Sequence, residues 1–250
     1  MNELNIAWMY PDILNLHGDR GNIMAFERVG GLLGIKVNIQ RIDKYNDPVN
    51  YIKTDIMFFN PGEVKTVPAV INALNTHREA FCDYAESGGT VICVASSGAV
   101  MANTLTRVDG TVIKGFGFLD MECRERETIY GDDIYFTVGN QEIIGCQIQM
   151  TDVKLTGADR LGELIYGMGN NEQGTKNEGA RYKNVIFTNV LGPVFVKNPW
   201  FAESIIKTAM KRKGVTVENS VDPAEYEIEL KSMECIKGFI KTAPKIKVNK

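Results

Sequence analysis

Along the first hundred residues, short apolar runs alternate with longer stretches in which apolar positions recur every three or four residues. Leu4–Tyr10 is apolar and strand-like and stops at Pro11. The loop PDILNLHGDRG follows, then a helical pattern from about Asn22 to Leu33, with Asp19 placed to cap its first turn and Gly30, Gly31 and Gly34 weakening its end. IKVNIQRI (Ile35–Ile42) alternates with the period of two that marks a strand exposed on one side. DIMFFN (Asp55–Asn60) is continuously apolar, as suits a strand covered on both faces. Val67, Val70, Ile71, Leu74 and Phe81 fall at helical spacing and predict one helix over Val67–Glu86. GGTVICVASSGAVMA (Gly88–Ala102) then reads as a strand, a sharp turn at SSG and a helix.

Alternation of this kind predicts a parallel sheet with helices on both faces. Ligands on such sheets sit outside the carboxyl ends of the strands, which singles out the loops after Tyr10, Asn60 and Ala95. From Val108 to Tyr166 the pattern changes to short alternating runs split by glycines (TVIKG, FGFLDMEC, DDIYFTV, EIIGCQIQM), which predict hairpins attached to the sheet. Gly167–Asn184 is polar and glycine-rich and reads as an exposed loop. VIFTNVL (Val185–Leu191) is a further buried strand ending at Gly192-Pro193. Two helices close the chain: Pro199–Lys213, with a basic last turn before Gly214, and a charged helix over about Pro223–Lys241 ahead of a basic tail. No internal repeat divides the 250 residues, and a single domain is expected, with about 223–250 forming a C-terminal helix and tail.

Composition narrows the picture without naming a chemistry. Hydrophobic residues make up 44% and charged residues 24%, and the net charge is −3, with no basic face of the kind that binds nucleic acid. The five cysteines (82, 93, 123, 146 and 235) are widely spaced and there are only two histidines, 17 and 77, so no zinc-type cluster is expected. Reduced thiols, no signal peptide and no apolar run long enough to span a bilayer lead to the expectation of a cytoplasmic chain without membrane insertion. There is no Walker loop and no GxGxxG, and no cofactor is expected.

The strand-turn-helix at residues 88–102 is where chemistry is expected. Such elbows present one side chain above a sheet, with backbone amides beside it ready to hold an oxyanion. Cys93 is not that side chain, because it lies within the strand, where a buried thiol has a raised pKa and is inert. Two frames remain: Ser96 as nucleophile in VASSG, or residue 95, an alanine, at the nucleophile position. A serine there needs a base. No histidine follows His77, which is read as a surface residue within the Val67–Glu86 helix, and His17 is the one histidine in a strand-end loop.

Taken in order, several segments resemble the class I (type 1) glutamine amidotransferases. The likeness is to the branch containing the amidotransferase subunit of lipid II isoglutaminyl synthase and the glutaminase domain of cobyric acid synthase. The segments are LNLHGDRGNI (Leu14–Ile23), DIMFFNPG (Asp55–Gly62), ESGGTVICVASSGAVMA (Glu86–Ala102), YGMGNN (Tyr166–Asn171) and RYKNVIFTNVLGPVFVKNP (Arg181–Pro199). The resemblance implies an α/β, flavodoxin-like three-layer fold with a mostly parallel central sheet and an antiparallel hairpin region. It also implies a peptidoglycan- or cobalamin-type biosynthetic setting, and a partner that is an ATP-dependent ligase or a second amidotransferase.

The resemblance carries a departure with it. The family's elbow reads C-G-G-Y-Q after the strand; laid on this chain, Ala95 takes the cysteine position and Ser96, Ser97, Gly98 and Ala99 follow. The family's late L-H-G-P becomes VLGP, with Leu191 at the histidine position. The oxyanion loop becomes Asn60-Pro61-Gly62, and proline has no amide hydrogen to give. The expectation is a protein that keeps the fold and has lost glutamine hydrolysis, acting as a binding or regulatory subunit. Its pocket candidates are Asn60, Gly62, Ser96 and Ser97, with a small molecule as a possible ligand at the elbow. The alternative is a working amidohydrolase using Ser96 or Ser97, with His17 or a carboxylate as base; a third reading is an interaction protein with no pocket function.

Overall fold

The computed structural model describes residues 2–16 and 20–242. His17, Asp19 and the basic tail from 243 on lie outside the described residues, and with them the readings placed there. β1 (Asn2–Met9) leads to α1 (Gly21–Leu32), which runs through Gly30 and Gly31 because Gly30 lets β2 (Ile35–Ile42) approach: a Cβ there would stand 2.3 Å from Val37. β3 (Ile56–Phe59) is followed by α2 (Val67–Asn75) and α3 (Arg78–Glu86), then β4 (Thr90–Val94). The single helix expected over Val67–Glu86 is therefore two, broken at Thr76 and His77. His77 is not within a helix at all: it leaves helical geometry (φ −135°, ψ 39°), is half-buried, and hydrogen-bonds the Tyr51 hydroxyl. Burial pushes its pKa down.

After the elbow, α4 (Gly98–Met101) is one turn rather than the expected longer helix, and β5 (Ala102–Thr106) and β6 (Val112–Lys114) begin a second sheet. The four short runs of the middle section merge mainly into two long strands, β7 (Leu119–Val138) and β8 (Gln141–Leu155), of 20 and 15 residues. The two strands turn at Gly139-Asn140, where Gly139 has φ +57° at the first central position, as a two-residue hairpin loop requires. β9 (Gly162–Tyr166) and β10 (Asn177–Glu178) complete this sheet. β11 (Ala180–Tyr182) and β12 (Val185–Thr188) return to the first sheet, and α5 (Val194–Lys197), α6 (Pro199–Arg212) and α7 (Glu227–Thr242) finish the chain.

The first sheet has the order β2-β1-β3-β4-β12-β11, parallel except for the edge strand β11. The five parallel strands thus follow the flavodoxin-like order. Successive residues of its central strands enter two different apolar layers. Leu4, Ile6, Trp8, Ile56, Phe58, Ile92 and Val94 pack with α1 and α6; Ala7, Met9, Met57, Phe59, Val91 and Cys93 pack with α2 and α3. That two-sided burial is why these strands read as unbroken apolar runs. Among the described residues no helix is long and apolar enough to cross a membrane.

Candidate functional site: an elbow that ends in alanine

The register of the central strands brings the candidate loops to one edge. Phe59 pairs with Cys93, Met9 with Phe59, and Thr188 with Val94, so the chain leaves β1, β3, β4 and β12 at the same level. Ala95 is the first residue beyond β4 and Leu191 lies three residues beyond β12. Both belong to the apolar layer on the α1 and α6 side, with Ala95 7% exposed and Leu191 fully buried.

Backbone geometry differs between the two elbow positions. Val94 is extended, whereas Ala95 has φ +49° and Ser96 begins a helical turn. A residue with a Cβ is disfavoured at positive φ, by roughly 1–2 kcal/mol. Such strain is the mark of a nucleophile elbow, where it lifts one side chain out of a strand-to-helix turn. The lifted residue is Ala95, and its methyl group has nothing to donate, accept or attack with.

The two serines are held elsewhere. Ser97 Oγ accepts the Val94 amide (2.9 Å), and its hydrogen lies between the carbonyls of Val94 (2.9 Å) and Phe59 (3.1 Å). Ser96 Oγ accepts the Gly62 amide (3.1 Å) and donates to the Gly62 carbonyl (2.5 Å). Both side chains are buried, so each hydroxyl is a cross-tie between strand ends. Asn60 is fully buried directly after β3. Gly62 has no room for a side chain: a Cβ on it would meet Leu14 at 2.5 Å and Thr66 at 3.0 Å. The Leu16 amide, from the loop after β1, donates to the Pro61 carbonyl (3.1 Å).

Leu191 is fixed by paired backbone bonds to Cys146 on β8, 2.8 Å and 3.2 Å, and continues into Gly192 at φ +112°. Its neighbours in the apolar layer include Val190, Val194 and Phe195. No atom of the leucine side chain can carry a proton. Cys93 lies on the opposite face of β4, fully buried, with its thiol pKa pushed up by desolvation. Among the described residues no group of three or more histidine, cysteine, aspartate or glutamate side chains could hold a metal ion.

The polar stretch Gly167–Asn184 departs most from its sequence reading. It is not simply an exposed loop, because Asn170 and Glu178 are fully buried. Glu178 accepts from the Thr188 hydroxyl (2.8 Å), the Asn189 amide (2.8 Å) and Asn189 Nδ2 (2.9 Å), and Asn170 joins Asn189 to Gly179. Burial raises the Glu178 pKa against those donors. This network fixes the end of β12 just ahead of Leu191. Asn and Glu in a glycine-rich stretch carry no periodic signal, so nothing in the sequence marked it.

Comparison with known proteins agrees with the fold. Two curated proteins, each described as the GatD subunit of a glutamine-hydrolysing lipid II isoglutaminyl synthase, are 26% identical to the chain. The Streptococcus pneumoniae protein aligns over 225 residues, 84% of this chain and 82% of that protein. The Staphylococcus aureus protein aligns over 239 residues, 93% of this chain and 95% of that one. The chain is glutamine amidotransferase-like. Among solved structures, one described as a glutamine amidotransferase superposes with a TM-score of 0.55 at 13% identity, covering 82% of this chain and 98% of its own. PurLQS from Thermotoga maritima superposes with a TM-score of 0.56 at 10% identity, covering 84% and 99%. These show the fold of the glutamine amidotransferase-like chain and nothing finer. No family model matches it.

Proposed function

We propose that this chain is a glutamine amidotransferase-like subunit without glutaminase activity, which acts by binding. Its partner is an ATP-dependent amide ligase or a second, active amidotransferase, in a cytoplasmic system of the lipid II isoglutaminyl synthase type. One observation carries the reading: the strained elbow position at the end of β4 is occupied by Ala95. The buried Leu191 at the late loop supports it, because loss of the nucleophile and loss of the proton carrier each remove most of a rate alone. That both curated relatives are described as subunits supports a partnered role. The loops converging on Ala95 are also where a small-molecule ligand of this subunit is expected.

The alternative, hydrolysis through Ser96 or Ser97, requires a hydroxyl free to face a substrate, and both hydroxyls are engaged with backbone groups inside the fold. The test is ammonia release from glutamine by the purified chain, alone and mixed with the ligase co-purified from the same cells. The expected rate is that of the buffer. Release that disappears in Ser96→Ala would overturn the proposal in favour of the alternative.

A further inference from the structure

We infer that Ser96 is a third inactivating feature of the elbow: its hydroxyl occupies the Gly62 amide and so closes the oxyanion hole. The inference rests on reading the elbow as a former hydrolytic site. In an elbow of this type two backbone amides face the developing oxyanion: that of the residue after the nucleophile, and one from the loop after another strand of the sheet. Here the residue after position 95 is Ser96, and the loop after β3 stands beside it, since Phe59 and Cys93 are in register. Within that loop Pro61 has no amide hydrogen. Gly62 has one, and it points at Ser96 Oγ, 3.1 Å away, while the same hydroxyl donates back to the Gly62 carbonyl at 2.5 Å.

A reciprocal pair of this kind satisfies both backbone groups of Gly62 inside the protein. It also fixes the loop in place. Leu14 leaves no room for a Cβ on Gly62, and the Leu16 amide donates to the Pro61 carbonyl, so the loop is tied to the segment after β1 as well as to the elbow. A side chain with a hydroxyl at position 96 is what makes the closure; glycine there leaves the Gly62 amide without its partner.

The consequence is that restoring the nucleophile and the base alone is insufficient. The experiment compares glutamine hydrolysis by Ala95→Cys/Leu191→His with that of the same double variant carrying Ser96→Gly or, in parallel, Ser96→Ala. The triple variants are expected to exceed the double by about 100-fold, the lower end of what one oxyanion donor contributes. Equal rates in double and triple variants, including no rate in either, overturn the inference. Amide exchange of Gly62 in the single Ser96 variants gives an independent readout: it is expected to accelerate at least tenfold (on the order of one lost hydrogen bond) while the β4 amides stay protected. An unchanged Gly62 rate overturns the inference as well. Ser96→Ala, which keeps the Cβ, covers the case in which the glycine variant does not fold. Failure of the underlying reading is a separate result, seen as glutamine hydrolysis by the unaltered chain.

Discussion

Gly98 is a glycine for a reason that a double-mutant cycle measures. Its backbone is ordinary helix (φ −57°, ψ −30°), so nothing in its conformation asks for glycine. Replacing glycine by alanine inside a helix normally stabilises by up to about 1 kcal/mol. Here a Cβ would stand 2.2, 2.5 and 2.9 Å from three carbons of the Phe187 ring, and that ring, 1% exposed on β12, has nowhere to go. Gly98→Ala is therefore expected to destabilise by about 1–3 kcal/mol, the cost of overpacking. In a chain of this size that lowers Tm by roughly 2–12 °C. Phe187→Ala is expected to cost about 3–5 kcal/mol through the cavity it leaves. With the ring gone the clash is gone, so the double variant should be no less stable than Phe187→Ala alone, a coupling of at least about 1 kcal/mol. Urea titrations of the four proteins supply the numbers. Additivity within about 0.5 kcal/mol, or a stabilising Gly98→Ala, would refute the claim that contact between α4 and β12 sets the elbow against the strand leading to Leu191.

Other parts of the structure make their own predictions. Ser97→Ala leaves the buried Val94 amide unpartnered and is expected to cost about 1–3 kcal/mol in the same urea assay. Glu178→Gln mimics the protonated carboxyl, which likewise sets one hydrogen among those donors, so it is expected to match the wild type within about 1 kcal/mol at low pH and to part from it as the pH rises. The buried carboxyl keeps its proton to higher pH than in the unfolded chain, where the pKa is near 4.5, so its contribution is full below that value and declines as pH rises through the raised native pKa. The wild type should thus lose stability relative to Glu178→Gln as pH rises above 4.5; a difference that stays constant above 4.5 would show that Glu178 is ionised there in the folded chain. Thiol mapping by mass spectrometry should label exposed Cys235 first, and Cys93 and Cys123 only on unfolding, because both are buried and burial pushes the Cys123 pKa to about 12.

The parallel sheet was legible because its strands are buried on both faces. IMFF and TVICV can be little else than central strands, and their carboxyl ends pointed to the loops that meet at Ala95. Ala95, two residues beyond the visible cysteine, has a left-handed backbone that no local sequence pattern announces. Other features depended on contacts between segments far apart in sequence. Nothing local shows that His77 leaves the helix to meet Tyr51, since Val67–Glu86 keeps helical spacing across the break. The glycines of the middle section looked like boundaries, yet Gly131 lies inside β7. Gly145 is needed where β8 crosses Val190 and Leu191: a Cβ would come within 2.3 Å of one and 2.7 Å of the other. Polar residues in Gly167–Asn184 suggested solvent, whereas Asn170 and Glu178 find their partners in each other's neighbourhood and in β12. Ser96 and Ser97 read as candidate nucleophiles in sequence, where their hydrogen bonds to Gly62 and Val94 leave no trace.

The central claim is that the elbow survives without anything to attack with. Incubation of the chain, alone and with the proteins that co-purify with it, with an electrophilic glutamine analogue, followed by intact-mass spectrometry, tests it most directly. The account predicts an unmodified mass for the native protein and a single adduct, mapped to position 95, for Ala95→Cys/Ser96→Gly/Leu191→His. A stoichiometric adduct on Ser96 or Ser97 of the unaltered chain would contradict it.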